Sequence, residues 1–278
     1  MSEGLYCQPD DVGSAVKTGL ANSLTGPSDT IVIGGIRSSR ATRSELADIM
    51  AADVARSHRG DLPLPRVIMA SNGSVVAHYH GNPAYREMVD RADLIDVDGM
   101  PLVMATRLLC KEPLRERVAT TDFIHDACAM AVRKNIRFFF LGAEPGVAQM
   151  AADNLSRQYP GLQMAGVRHG YFEPSEEAEI CAEIVAAGTD ILWLGMGSPR
   201  QERFAVFNRE ALKGVAWIRT CGGLFDFCAE RVPRAPGWMQ SAGLEWLFRT
   251  WQEPSRLGSR YIMTNPIAFY HLLTKTHD

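Results

Sequence analysis

What most constrains this chain is a regular alternation of two kinds of segment between about residues 30 and 220. Short apolar runs are separated by longer amphipathic ones. The runs at 30–33, 66–70, 94–97, 137–141, 163–167, 190–194 and 215–220 read as strands. Most do not alternate polar with apolar residues, as expected of strands buried on both faces. The segments at 44–58, 83–92, 122–134, 145–158, 175–187 and 200–212 read as helices. Pro145 and Pro199 stand at expected first turns, Thr121 precedes Asp122, and Gly188 follows Ala187 as a C′ residue would. Strands joined through helices form parallel pairs with helices covering both faces. The expected fold class is therefore α/β, with a doubly wound, mostly parallel sheet.

The composition agrees with a folded protein. Of 278 residues, 46% are hydrophobic and 22% charged. The 29 basic and 32 acidic residues give a net charge of −3, which argues against a nucleic-acid partner. The longest stretch without Asp, Glu, Lys or Arg, 67–85, has 19 residues but contains Asn, Ser, His and Pro, so it does not read as a membrane span. Residues 1–29 lack an apolar signal core and are expected to form a mobile tail. The six cysteines make no C-x-x-C pair, so reduced thiols in the cytoplasm are expected, with no metal site. The core is placed at 30–230. A helical appendage follows at 231–278, because 231–260 holds five Arg, two Glu and three Trp.

Doubly wound sheets bind ligands beyond the carboxyl ends of their strands, so the loops there carry the candidate chemistry. Asn72, in Ala70-Ser71-Asn72-Gly73, suits a sugar or base contact or an ordinary Asn-Gly turn. Asp98, in Asp96-Val97-Asp98-Gly99, can accept a proton from an attacking hydroxyl. The same D-x-D spacing also suits a divalent metal, or two solvated acids in a turn. Leu141-Gly142-Ala143-Glu144-Pro145-Gly146 leads into a helix N-terminus fit for an anion, or is a tight turn. In Gly195-Met196-Gly197-Ser198-Pro199-Arg200-Gln201-Glu202, two glycines precede a helix whose first turn carries Arg200 and Gln201. This is not the dinucleotide fingerprint, because Arg200 stands at the third glycine position.

Taken in order, these segments resemble the WecG/TagA/CpsF family of glycosyltransferases. The likeness extends through Glu116-Arg117-Val118, His169-Gly170-Tyr171-Phe172, Gly222-Gly223-Leu224-Phe225-Asp226, Arg234-Ala235-Pro236, Leu244-Glu245-Trp246-Leu247-Phe248-Arg249 and Glu253-Pro254-Ser255-Arg256. It implies a Rossmann-like core and an inverting, metal-independent hexosyltransferase needing no cofactor. The enzyme would move a sugar from a UDP-sugar to a polyprenyl-diphosphate-linked acceptor. It would work at the inner face of the bacterial membrane, in cell-surface or exopolysaccharide synthesis. Homo-oligomerisation is left open. By the same resemblance Asp98 is the catalytic base, Asn72 an active-site asparagine, and Arg117 and Gln201 match family motif residues. Gly142, Gly195, Gly197, Arg200, Gln201 and Glu202, in the loops after their strands, are the candidates for binding the donor. Arg249, Arg256 and Arg260 meet the acceptor diphosphate and an anionic membrane surface. The chain departs from the family pattern at Ala70, where Thr is usual, at Arg200, where Lys is usual, at Ala119-Thr120-Thr121 and near Glu230.

Overall fold

The structure, a computed structural model, describes residues 29–278 apart from the side chains of 255–257. All of the expected tail except Asp29 lies outside the described residues. The first elements are β1 (Thr30–Ile33), β2 (Ile36–Ser39), α1 (Arg43–His58), β3 (Arg66–Ser71), α2 (Gly73–Gly81), α3 (Pro83–Asp90), β4 (Leu94–Val97) and α4 (Met100–Leu109). The middle of the chain forms α5 (Thr120–Lys134), β5 (Arg137–Gly142), α6 (Val147–Gln158), β6 (Gln163–Arg168), α7 (Glu177–Ala186), β7 (Ile191–Gly195), α8 (Arg200–Phe207) and β8 (Trp217–Thr220). The last helices are α9 (Leu224–Cys228), α10 (Gly237–Ser241), α11 (Glu245–Gln252) and α12 (Pro254–Thr274).

Six strands form one all-parallel sheet in the order β4-β3-β8-β7-β5-β6. The expected strand at 30–33 exists but does not join it. It pairs antiparallel with β2 through Gly34 and Gly35, whose φ angles of 56° and 84° suit a tight two-residue hairpin turn. Three helices, α2, α4 and the short α9, lie where no helix was expected. The first follows an Asn-Gly pair that reads equally as a turn, and it carries no Asp, Glu, Lys or Arg.

Alternate residues along each strand feed two cores, one on each face. On one face Ile68, Phe138, Phe140, Trp193 and Trp217 meet α1, α5, α6 and α9. On the other, Val67, Met69, Phe139, Leu141, Leu192 and Ile218 meet α2, α4, α8 and α12. Every residue from Phe138 to Leu141 is buried. At about 1.5–3 kcal/mol per large apolar side chain, burial outweighs local strand propensity in fixing β5. The chain leaves β5 toward the first face and β7 toward the second, and likewise separates after β8 and β3. Such divergence opens crevices along the carboxyl edge of a doubly wound sheet.

The C-terminal helices close back on this body. Ala268 and Leu272 of α12 are buried in the second core beside α2. Thr276 accepts a hydrogen bond from the Gly34 N–H (3.0 Å), and His277 bridges to Val32. The chain breaks at Glu253 (φ −131°, ψ 65°), so α11 and α12 are separate helices. Arg249 therefore does not share a helical face with Arg256 and Arg260, as the 7- and 4-residue spacings would imply in one continuous helix.

Candidate active site

Asp98 sits just past β4, at the carboxyl edge of the sheet. The N–H groups of Asp98 and Gly99 both donate to the Ser71 carbonyl (2.9 and 3.2 Å), tying this loop to the end of β3. The Asp98 carboxylate accepts the N–H of Thr120 (3.1 Å), the first residue of α5. The cap residue Ala119 has no side-chain acceptor, so an acid from another strand does the capping expected of Thr121. The positive end of the helix macrodipole also favours a carboxylate there. Burial raises the Asp98 pKa, while Arg117 and the Thr120 N–H pull it down. The residue keeps partial solvent access. A partly open carboxyl held this way is fit to exchange a proton.

Asn72 stands alongside. Its Oδ1 accepts from Ser74 N–H (3.0 Å) and Val75 N–H (3.2 Å), making it the N-cap of α2. The side-chain nitrogen is the end left for a ligand. A Cβ on Gly99 would lie 3.2 Å from the Asn72 Cα, so glycine lets the two loops touch. Arg117 donates to Glu245 (2.9 Å) and Gln240 (3.3 Å) and lies 3.6 Å from Asp122. Arg234 binds Asp122 (2.6 Å) and Gln240 (2.8 Å) in turn. Arg117 thus pins α10 and α11 beside Asp98.

Asp96 belongs to a different environment. It is fully buried and paired with Arg219 of β8, which is also fully buried. Burial pushes the Asp96 carboxyl up to about 6, against the opposing pull of Arg219. Of the D-x-D pair, Asp98 alone is partly open to solvent.

The glycine loops are positioned chiefly by packing. Gly142 has φ +154°, and a Cβ there would lie 2.3 Å from the Gly195 carbonyl oxygen. A Cβ on Gly195 would lie 2.7 Å from the Phe225 ring. Gly197 (φ +74°) faces open space. Arg200 donates to the Phe172 carbonyl (2.7 Å) and lies over the Phe172 ring (4.6 Å). Gln201 is buried and spans two loops, donating to Glu202 (3.0 Å) and accepting from Gly222 N–H (3.0 Å). Glu202, also buried, accepts from Ser198 (2.6 Å) and lies 3.5 Å from the Tyr85 hydroxyl. Gln201 thus joins α8 to the loop after β8, and Glu202 joins the loop after β7 to α3.

In the appendage, Arg249 lies over the Phe227 ring (5.4 Å) and close to Gly223. Arg260 donates to the Tyr261 hydroxyl (3.1 Å). The side chain of Arg256 lies outside the described residues.

Comparison with known proteins gives this arrangement a context. Residues 31–277 match the model of the glycosyl transferase WecG/TagA/CpsF family. The chain belongs to this family. It is 31% identical over 189 residues to an N-acetylglucosaminyldiphosphoundecaprenol N-acetyl-beta-D-mannosaminyltransferase of Bacillus spizizenii, across 68% of this chain and 72% of that protein. As a WecG/TagA/CpsF-family glycosyltransferase, the protein combines the Rossmann-like α/β core and C-terminal helices that its sequence motifs implied. Arg219, buried beside Asp96 under the candidate site, was not singled out in the sequence. A buried Arg inside an apolar strand was the available signal.

Proposed function

We propose that this glycosyltransferase moves a hexose-type sugar, with inversion, from a UDP-sugar to a polyprenyl-diphosphate-linked saccharide. It does so at the inner face of the cell membrane, in the synthesis of a cell-surface or extracellular polysaccharide. The observation that carries this reading is Asp98, partly open at the sheet edge and held by the N-terminus of α5. The name of the Bacillus relative, an N-acetyl-beta-D-mannosaminyltransferase of N-acetylglucosaminyldiphosphoundecaprenol, supports a sugar transferase with a lipid-diphosphate acceptor. In the reaction an acceptor hydroxyl oxygen attacks the anomeric carbon as the bond from that carbon to UDP breaks. Asp98 takes the hydroxyl proton, and UDP leaves with its diphosphate charge. Asn72 orients the sugar. Gly142, Gly195, Gly197 and Arg200 shape the donor edge, and Gln201 and Glu202 hold its loops in place. Arg117 tunes Asp98, while Arg249, Arg256 and Arg260 serve the acceptor diphosphate.

The membrane role has its own support. The outward face of α12 carries Ile262, Met263, Phe269 and Tyr270, each more than 60% exposed, opposite the buried Ala268 and Leu272. No Asp, Glu, Lys or Arg occurs from Tyr261 to Thr274. Among the described residues no helix is long and apolar enough to cross a membrane. An amphipathic helix of this kind lies along the interface instead.

The test is UDP release by the purified full chain. A panel of UDP-sugars is offered with GlcNAc-diphospho-polyprenol, with and without EDTA. Turnover that survives EDTA and falls about 10²–10⁴-fold in Asp98→Asn, with UDP affinity kept, supports the reading. Loss of turnover in EDTA would favour a metal-dependent site. Near wild-type turnover in Asp98→Asn would remove it as base.

A further inference from the structure

The Asp96–Arg219 pair has no part in the reaction described for Asp98, yet it lies beneath it. A fully buried ion pair adds little net stability, because desolvation offsets the Coulomb attraction, so apolar residues would serve the core as well. Arg219 lies between the rings of Phe123 (5.0 Å) and Trp193 (5.9 Å). The strand register sets Arg219 beside Ile68 and Asp96 beside Ala70. The bond from β8 to β4 therefore crosses the intervening β3, where Ala70 is small enough to leave the way open. One terminal nitrogen of the guanidinium holds Asp96, and the other approaches the Thr120 hydroxyl at 3.5 Å. The N–H of this same Thr120 holds the Asp98 carboxylate at 3.1 Å. Buried atoms of both partners, Asp96 Oδ1 and Arg219 Nε, make no hydrogen bond among the described residues, so the pair is not arranged for maximal pairing.

We propose that Arg219, anchored by Asp96 across β3, is a positioning residue for Asp98. It steadies the first residue of α5, whose amide grips the base, and it places a fixed positive charge under the carboxylate. This rests on the reading of Asp98 as base. The charged groups facing Asp98 are Arg117 from the loop before α5, Glu245 from α11, Arg219 from β8 and Asp96 from β4.

The experiment measures kcat/KM against pH, and donor KM, for the full chain and its Asp96→Asn and Arg219→Gln variants, with thermal melts for folding. Asp96→Asn keeps an oxygen for Arg219 but leaves the cation unbalanced, so the acidic limb moves to lower pH. Arg219→Gln moves that limb to higher pH, as expected when a nearby opposite charge is lost. It also lowers kcat about tenfold, within the range of a mispositioned base, with donor KM little changed. If Arg219→Gln does not fold, the Asp96→Asn limb decides. An Arg219 that serves packing alone predicts lower melting temperatures with both limbs unmoved, and that result overturns the proposal. Full turnover in Asp98→Asn would sink the base reading instead, which separates the two failures.

Discussion

Replacing Arg117 with Met should expose two separate effects of one side chain. Arg117 is 9% exposed and bonds Glu245 at 2.9 Å, while Glu245 and Asp122 keep 23% and 28% of their side-chain exposure. A hydrogen bond between charged groups contributes about 1.5–3 kcal/mol, and the remaining solvent access at the carboxylates trims it. Met keeps much of the apolar stem, so a net loss of about 2 kcal/mol follows. For a protein of this size that lowers Tm by roughly 4–8 °C. The second effect is on Asp98, where burial pushes the pKa up and Arg117 is the foremost group pulling it down. Without Arg117 the pKa rises further. A base works deprotonated, so on acidification activity is lost at a higher pH than in the wild type. Differential scanning fluorimetry and kcat/KM from about pH 5 to 9 read the two effects. A wild-type melt with a wild-type acidic limb would refute the reasoning. A lower Tm with the limb unmoved would leave Arg117 as a pin for α11 alone.

Other predictions test the fold and the membrane face. Gly142→Ala places a Cβ 2.3 Å from the Gly195 carbonyl oxygen at φ +154°, so overpacking and backbone strain together should cost about 3–5 kcal/mol in urea melts. Gly197→Ala, with open space around it, should cost about 1–2 kcal/mol from its φ of +74° alone. Equal losses would discount the steric account. His80 stacks on His271 at 3.5 Å between centroids, and burial, aided by Lys275, holds both below the usual histidine pKa. The unfolded imidazoles then bind protons first. Stability present above about pH 6.5 should fall on acidification, and His80→Gln should flatten the dependence of the urea midpoint on pH. Binding of the full chain to anionic vesicles should drop sharply in Ile262→Glu with Phe269→Glu. Unchanged co-sedimentation would mean that the exposed face of α12 does not meet lipid.

How much of this was legible in the sequence depended on range. Strands buried on both faces, such as Phe138–Leu141, announce themselves as uninterrupted apolar runs. Asp98 was visible because the end of its strand was visible. Asn72-Gly73 was ambiguous, since the same residues that favour a turn also cap a helix. The role of Asp96 could not be read locally. As part of D-x-D it looks like a solvated or metal-binding acid, and its burial depends on β4 and β8 flanking β3, strands more than a hundred residues apart. Pro254 can bend a helix or begin a new one. Which of the two occurs is decided by packing: α12 aligns with α2, and α11 is held by Arg117.

The junction of Thr276 and His277 with Gly34 and Val32 bears on the order in which the protein acquires its shape. These partners are 242 and 245 residues apart. Contacts of such separation are slow to form, because a long loop must close before they contribute. During synthesis the hairpin β1-β2 and helix α2 emerge early, but the surface they turn toward α12 stays uncovered until residues near 268–277 have been made. That interval exposes Val76 and its neighbours to solvent and to other nascent chains. A ribosome stalled before residue 268 should therefore display a chain whose sheet can pair but whose first-made hairpin remains open to protease.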